Sequence, residues 1–135
     1  MRTLEVASVI LSLSIANVAA AGDFDGSLPL SCTVTRSHDC LTGKTSCEAT
    51  IPEKGAMSVI GINFTQKQIR SPLRKALLTV HNTAAHPDTL MLQGSDPFMA
   101  WSALVDKKTG ALTVALADKG GTYVYFGTCK PADKM

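Results

Sequence analysis

The sequence predicts an all-β protein, in which an antiparallel meander forms a small, disulfide-stapled barrel or sandwich. Three observations lead to this fold class. Beyond residue 27, apolar and polar residues alternate with a period of two in successive segments, as in strands that bury one face. Turn-forming residues separate these segments at regular intervals, which is typical of sandwiches and barrels. Four cysteines follow residue 30, an even number that favours two disulfides in a small extracellular domain.

The N-terminus has the three parts of a secretory signal peptide. After a weakly positive start, residues 6–18 are mostly apolar and uncharged, and residues 19–21 are alanines that suit a cleavage site. The apolar run is shorter than the roughly 20 residues that a membrane-spanning helix needs. We therefore predict a signal peptide at residues 1–21, with an uncleaved anchor as the alternative, and a single β-rich domain at residues 22–135.

Export would place this domain in the periplasm or outside the cell. No later segment reaches membrane-spanning length, so we expect no membrane span after cleavage. The formal net charge of +2 gives no argument for a nucleic-acid partner or for an anionic membrane. No pattern in the sequence indicates a cofactor, and we expect a monomer whose partner is an unknown protein or an envelope ligand.

The four cysteines are Cys32, Cys40, Cys47 and Cys129, which allow three pairings. Geometry favours Cys32 with Cys129, because they lie in the first and last strand-like segments, and Cys40 with Cys47, because they bracket a turn-forming hexapeptide. The alternative pairs Cys40 with Cys129 and Cys32 with Cys47. A zinc site that includes His38 fits poorly, since zinc ligands usually occur as C-x2-4-C pairs and the first three cysteines are separated by seven and six residues.

Four strand-like segments precede residue 95, at residues 28–35, 57–64, 76–81 and 89–92. In the first, every second residue is apolar, so that Leu28 and Cys32 fall on one predicted core face. In the next two, the residues that share one face are Ser58, Ile60, Ile62, Phe64, Ala76, Leu78 and Val80. Residues 66–75 are the best candidate for a short turn of helix, which Pro72 would limit.

The C-terminal third gives the clearest pattern. Residues 101–106 and 111–117 read as a hairpin around a turn that ends in Gly110, a residue suited to a positive φ angle. A second turn at residues 118–121 precedes a last strand at residues 122–129. Leu112, Val114 and Leu116 share one face of the middle strand.

The motif V-D-x-x-T-G-x-L at residues 105–112 and the ending F-G-T-C-K-P at residues 126–131 resemble small exported, cysteine-containing proteins of unassigned function from alphaproteobacteria. This resemblance implies a periplasmic or secreted β-meander and carries no catalytic residues. The late Trp101 and the terminal Cys129 give a weaker similarity to periplasmic lysozyme inhibitors, which are small disulfide-linked β-barrels. That similarity implies inhibition of a lytic enzyme.

Three histidines could carry chemistry, because imidazole titrates near neutral pH. His81 and His86, with Asp88 nearby, could form a metal or acid-base site, or could belong to a solvated connection between two strands. His38 beside Asp39 could act as an oriented base, or the pair could be a polar turn inside a disulfide loop. No nucleophile motif accompanies them.

Two other groups of side chains could form a binding surface. The cations Lys67, Arg70, Arg74 and Lys75 lie within nine residues and could bind a phosphate, a glycan sulfate or an acidic protein; a solvated loop is the alternative. Trp101 and the later aromatic residues Tyr123, Tyr125 and Phe126 could be core or interface side chains.

These observations support three hypotheses. The first, which we favour, is a non-catalytic binding or envelope-associated protein. The second is an inhibitor of a lytic enzyme such as lysozyme. The third is a small hydrolase or metalloenzyme that uses His38, His81 or His86, and it requires these side chains to converge with a carboxylate in a pocket.

Overall fold

In the residues that the structure describes, the regular structure is almost entirely strand. The computed structural model describes residues 23–52, 58–72 and 75–133, so the predicted signal peptide lies outside the described residues. The strands in these ranges are β1 (Leu30–Leu41), β2 (Glu48–Thr50), β3 (Val59–Asn63), β4 (Gln68–Ser71), β5 (Ala76–Thr79), β6 (Asn82–Ala85), β7 (Thr89–Ser95), β8 (Met99–Asp106), β9 (Ala111–Asp118) and β10 (Gly121–Pro131).

The strands form one antiparallel sheet that curls into a half-barrel. Their order is β5-β4-β3-β1-β10-β9-β8-β7-β6, and β2 pairs with β1 outside this path. Most neighbours in the sheet are neighbours in sequence, with β1 inserted between β3 and β10. The predicted antiparallel meander is therefore confirmed. We call the end of the half-barrel at which β1 finishes with Leu41 the upper end, and the end at which β1 begins with Leu30 the lower end.

The two edge strands of the sheet, β5 and β6, are consecutive in the chain. Residues 76–79 pair with β4, and residues 82–85 pair with β7. Between them, the Val80 amide donates a hydrogen bond to the Lys67 carbonyl oxygen at 2.8 Å, and the His81 amide donates to the Gln93 carbonyl oxygen at 2.8 Å. One segment of chain thus passes from one side of the curled sheet to the other.

The inner face of the sheet forms the core. The buried apolar residues are Leu30, Cys32, Val34, Ile60, Ile62, Ile69, Leu78, Val80, Leu90, Leu92, Trp101, Ala103, Val105, Leu112, Leu116, Tyr125 and Cys129. The cavity that lies between Ile60, Trp101 and Tyr125 has a volume of only about 20 Å³, so this part of the core is closely packed. The prediction that Leu28 faces the core was wrong, because β1 begins at Leu30 and the Leu28 side chain is 47% exposed.

Disulfides join Cys32 to Cys129 and Cys40 to Cys47, which confirms the favoured pairing. Cys32 and Cys129 are directly opposite each other on β1 and β10, so the bond joins the first and last strands inside the core. Two disulfides indicate an oxidising environment outside the cytosol. The described part of the chain contains no helix long and apolar enough to cross a membrane.

Two local predictions were wrong. Residues 68–71 of the predicted helical turn form strand β4, which lies between β3 and β5, because Ile69 enters the core while Arg70 points outward, the alternation of a strand. His38 and Asp39 do not form a turn in a disulfide loop; they belong to β1, which continues through Cys40 to Leu41. There the pairing with β10 extends the strand.

Candidate functional site

The upper end of the half-barrel brings together three connections that are far apart in sequence. These are the disulfide loop at residues 42–47, the β7–β8 turn at residues 96–98 and the β9–β10 turn at residues 119–120. The Thr42 amide donates a hydrogen bond to the Gly120 carbonyl oxygen at 2.9 Å, which ties the disulfide loop to the β9–β10 turn. The Cys40–Cys47 bond therefore supports the upper end as well as its own loop.

The β7–β8 turn presents an exposed aromatic side chain. Phe98 is 80% exposed, although its turn is firmly held. The Asp96 carboxylate accepts hydrogen bonds from the amides of Phe98 at 2.8 Å and Met99 at 3.0 Å, and the Asp96 amide donates to the Met99 carbonyl oxygen at 2.9 Å. A short polar side chain that bonds the backbone two or three residues on is a common way to fix a turn. Phe98 is thus displayed from a preorganised backbone.

A cleft of about 390 Å³ lies beside Phe98. The β7–β8 turn forms one side of it, and the β9–β10 turn forms the other, where the Asp118 carboxylate accepts hydrogen bonds from the amides of Gly120 at 2.7 Å and Gly121 at 3.1 Å. Its lining residues are Pro97, Phe98, Met99, Asp118, Lys119, Gly120 and Tyr123. We refer to this site as the upper cleft. It combines apolar and aromatic surface with one cation and one carboxylate, the composition of a small binding site.

The structure does not bring the three histidines together. His81 and His86 lie at opposite ends of β6, and five residues of extended chain span about 17 Å. The His81 Nε2 atom is 2.9 Å from the Ser95 carbonyl oxygen and donates a hydrogen bond to it in the corresponding tautomer. His38 lies on β1, with its ring edge-on to Phe126 at a centroid distance of 6.1 Å. Among the described residues, no three His, Cys, Asp or Glu side chains are grouped to hold a metal ion.

The predicted cation group is divided along β4. Lys67 ends the β3–β4 turn, Lys75 lies in the β4–β5 turn at the other end of the strand, and Arg70 points outward between them. Arg70 and Lys75 line a common surface depression of about 400 Å³. Arg74 lies outside the described residues, so its place in this group is not assigned.

The exposure of the aromatic residues also differs from what the hypothesis of an aromatic binding surface expected. Trp101 is 5% exposed and packs in the core, so it is not part of an exposed binding surface. Phe126 faces outward instead, with the Arg36 guanidinium 4.7 Å from its ring centroid. Phe98 was missed by the sequence reasoning, although an aromatic residue directly after Asp96-Pro97, a turn-forming pair, is a signal that could have identified it.

No family model, no curated protein and no solved structure matches the chain. The surface of the molecule, and mainly the upper cleft, is therefore the basis for assigning a function.

Proposed function

We propose that the protein is an exported, non-catalytic binding protein that recognises a partner protein through the upper cleft. The observation that carries this proposal is the exposure of Phe98 on a turn held by three hydrogen bonds. Large aromatic side chains are enriched among the residues that dominate protein–protein binding energy. The cleft beside Phe98 offers a complementary pocket for a side chain of the partner.

Preorganisation strengthens this argument. Ordering a loop on binding costs free energy, and a loop that is already ordered avoids much of that cost. The Asp96 and Asp118 carboxylates fix the two turns that border the cleft, and the Cys40–Cys47 loop is tied to the second turn. Little reorganisation would then accompany the docking of a partner against Phe98.

The site of action in this proposal is the periplasm or the outside of the cell. The signal peptide predicted at residues 1–21 would direct export, and the two disulfides are consistent with an oxidising compartment. Within such a compartment, the partner would be a soluble or envelope-anchored protein. The full chain, expressed in its native host, is therefore the material for a test.

The test is site-specific photo-crosslinking. A photoreactive phenylalanine analogue replaces Phe98 in one variant and Ile51 in a control, because Ile51 is 84% exposed and belongs to a different part of the surface. We expect position 98 to give a discrete crosslinked protein in the intact envelope, and position 51 not to give it. The same product should be competed away by an excess of unlabelled protein and not by a Phe98→Ala variant. Equal crosslinking from both positions, or none from position 98, would contradict the proposal.

Inhibition of a lytic enzyme is a second candidate function, and the firmly held turn with its exposed Phe98 favours it. Rigid, exposed loops that fill an enzyme cleft bind with little loss of entropy. Purified protein at micromolar concentration should then slow the lysis of a cell-wall suspension by lysozyme. Phe98→Ala should relieve the inhibition, whereas Ile51→Ala should not. An unchanged lysis rate at micromolar protein would exclude lysozyme as the target.

A further inference from the structure

The charges of the chain are distributed unevenly along the sequence. Residues 54–87 contain five lysines and arginines and no aspartate or glutamate. This acid-free stretch includes strands β3, β4, β5 and β6. The adjoining strand β10 also lacks a carboxylate, and the one acidic residue of β1, Asp39, lies at the upper end. On this side of the half-barrel, β4 and β10 therefore each carry one cation, Arg70 and Lys130, and no carboxylate.

The sheet register places two of these cations in one row across the outer face. Arg70 on β4 is opposite Gly61 on β3, Gly61 is opposite Ser31 on β1, and Ser31 is opposite Lys130 on β10. Arg70 is opposite Leu77 on β5 at the other side. The side chains of this row point away from the core, because each residue has a buried neighbour next to it on its strand. We call these five residues the basic row.

Small residues separate the two cations of the basic row. Three strand spacings place the Arg70 and Lys130 backbones about 14 Å apart. Gly61 and Ser31 project little above the sheet between them, so the row is a shallow track with a cation at each side. Lys75 adds a third cation, since it shares with Arg70 and Leu77 the depression of about 400 Å³. In the part of the chain that the structure describes, no ion pair joins Arg70, Lys75 or Lys130 to a carboxylate, in contrast to Lys108, which lies 3.1 Å from the Asp88 carboxylate.

We propose that the basic row binds a linear anionic polysaccharide through its sulfate or carboxylate groups. Charge complementarity favours an anionic ligand, and the planar guanidinium of Arg70 can donate two parallel hydrogen bonds to two oxygens of a carboxylate or of a sulfate. The spacing of the two cations favours a chain over a single small anion, because Arg70 and Lys130 are too far apart to enclose one. This site is separate from the upper cleft and does not depend on the function proposed for it.

The test measures binding of a heparin tetrasaccharide and a tetragalacturonate to the full mature domain at low ionic strength, by calorimetry and by amide chemical shifts. We expect the shifts to centre on β3, β4 and the lower part of β10. Ser31→Asp places a carboxylate between the two cations and should weaken binding about tenfold or more. In the control variant Ser31→Asn, the new side chain has nearly the same shape as aspartate but no charge. This variant should bind the oligosaccharides like the unmodified protein.

Two double variants that remove the same charge distinguish binding at the basic row from a general effect of positive charge on affinity. Arg70→Ala with Lys130→Ala should weaken binding about tenfold or more. Arg36→Ala with Lys44→Ala removes the same charge elsewhere and should change it by less than about twofold, because screening weakens distant charges.

Four outcomes would overturn the proposal. These are no saturable binding of either oligosaccharide, equal binding of inorganic phosphate, equal affinities of the Ser31→Asp and Ser31→Asn variants, and binding to phosphatidylglycerol vesicles without binding to the oligosaccharides. The last result would assign the row to a lipid surface. Loss of Phe98 crosslinking has no bearing on these results, so the two proposals fail independently.

Discussion

In three hairpin turns of this protein, an aspartate side chain fixes the backbone by hydrogen bonds. Asp96, Asp106 and Asp118 each accept two hydrogen bonds from backbone amides two and three residues further along the chain. These hydrogen bonds give a partner to turn amides that do not bond to a neighbouring strand. They require a side chain with a carboxylate or amide oxygen at the position of the aspartate. In the β8–β9 turn, such hydrogen bonds also change the pKa of the aspartate. The Thr109 amide and hydroxyl and then the Lys108 amide hold the pKa of Asp106 below its ordinary value of 3.8.

This pKa predicts a dependence of stability on pH. A carboxyl group whose pKa is lower in the folded state stabilises the fold above its ordinary pKa, and the contribution is lost as the pH falls through the folded-state pKa. Asp106→Asn keeps an oxygen acceptor for the turn and cannot titrate. We therefore expect the stability difference between the native protein and this variant to shrink below about pH 3.8, measured by urea unfolding from pH 6 to pH 2. A difference that stays constant over this range would contradict the prediction.

Gly110 provides a second prediction for a single residue. Its φ angle is +71°, and a Cβ atom there would lie 2.6 Å from the Phe24 ring and 2.8 Å from the Cys129 carbonyl oxygen. Gly43 also has a positive φ, of +81°, but has no atom within 4 Å of a Cβ position. Gly43→Ala should therefore cost about 1–2 kcal/mol for the backbone alone. Gly110→Ala should cost about 2–5 kcal/mol, because overpacking adds to the backbone term. Equal urea unfolding midpoints for the Gly110→Ala and Gly43→Ala variants would show that the packing contact at Gly110 has no effect on stability.

At the scale of elements, β5 and β7 approach each other closely where the sheet curls. Gly94 on β7 lies against the Thr79 carbonyl oxygen of β5 and against the Trp101 ring, whose Cε2 atom would be 2.6 Å from an added Cβ. A side chain at this position would push β5 away from β7. The absence of a side chain thus allows the segment from β5 to β6 to cross between the two edges of the sheet.

We expect Gly94→Ala to destabilise the fold by about 1–3 kcal/mol, the usual range for overpacking. Its effect should be visible at Trp101, the only tryptophan in the chain, as a shift in fluorescence toward that of a more solvated indole. Gly43→Ala serves as the control, since it should leave the fluorescence unchanged. A Gly94→Ala variant with native stability and native fluorescence would mean that β5 can move away from β7 at no cost.

The hairpins and the alternating strands were predictable from sequence, and the β4 strand was not. Hairpin β8–β9 has eight residues in each strand, long enough for the alternation of Ala103, Val105, Leu112 and Leu116 to be read. Strand β4 has four residues, and cations and Pro72 surround its single buried isoleucine. Its strand conformation comes from pairing with β3 and β5 on both sides, which local sequence does not encode.

For the whole molecule, the two disulfides differ in the length of chain that they close. The sequence separation is 97 residues for Cys32–Cys129 and 7 residues for Cys40–Cys47. If restriction of the unfolded chain dominates, Cys32→Ala with Cys129→Ala should cost about 4.7 kcal/mol, and Cys40→Ala with Cys47→Ala about 2.4 kcal/mol. Urea unfolding of the two double variants measures this ratio. A larger loss for the short loop would mean that native-state contacts at the upper end outweigh chain entropy.

The candidate sites depend on the whole molecule even more than the fold does. Phe98 could be noticed in the sequence as an aromatic residue in a turn, but its cleft requires the β9–β10 turn beside it. In the same way, Arg70 and Lys130 are 60 positions apart by their numbers, and only the register through β3 and β1 puts them in one row. Side chains close in sequence, such as Lys67 and Lys75, proved to lie at opposite ends of a strand.

The amino-acid sequence alone determines the all-β class and the main hairpins, because alternation and turn chemistry are local properties of the chain. It favours one disulfide pairing over the alternatives but does not fix it, since Cys32 and Cys129 are 97 residues apart. The tertiary structure decides the passage of residues 76–85 between the two sides of the sheet, the burial of Trp101, the upper cleft and the basic row. Each of these depends on the register between strands that are distant in sequence, and a shift of one residue would move every outward side chain to the inner face.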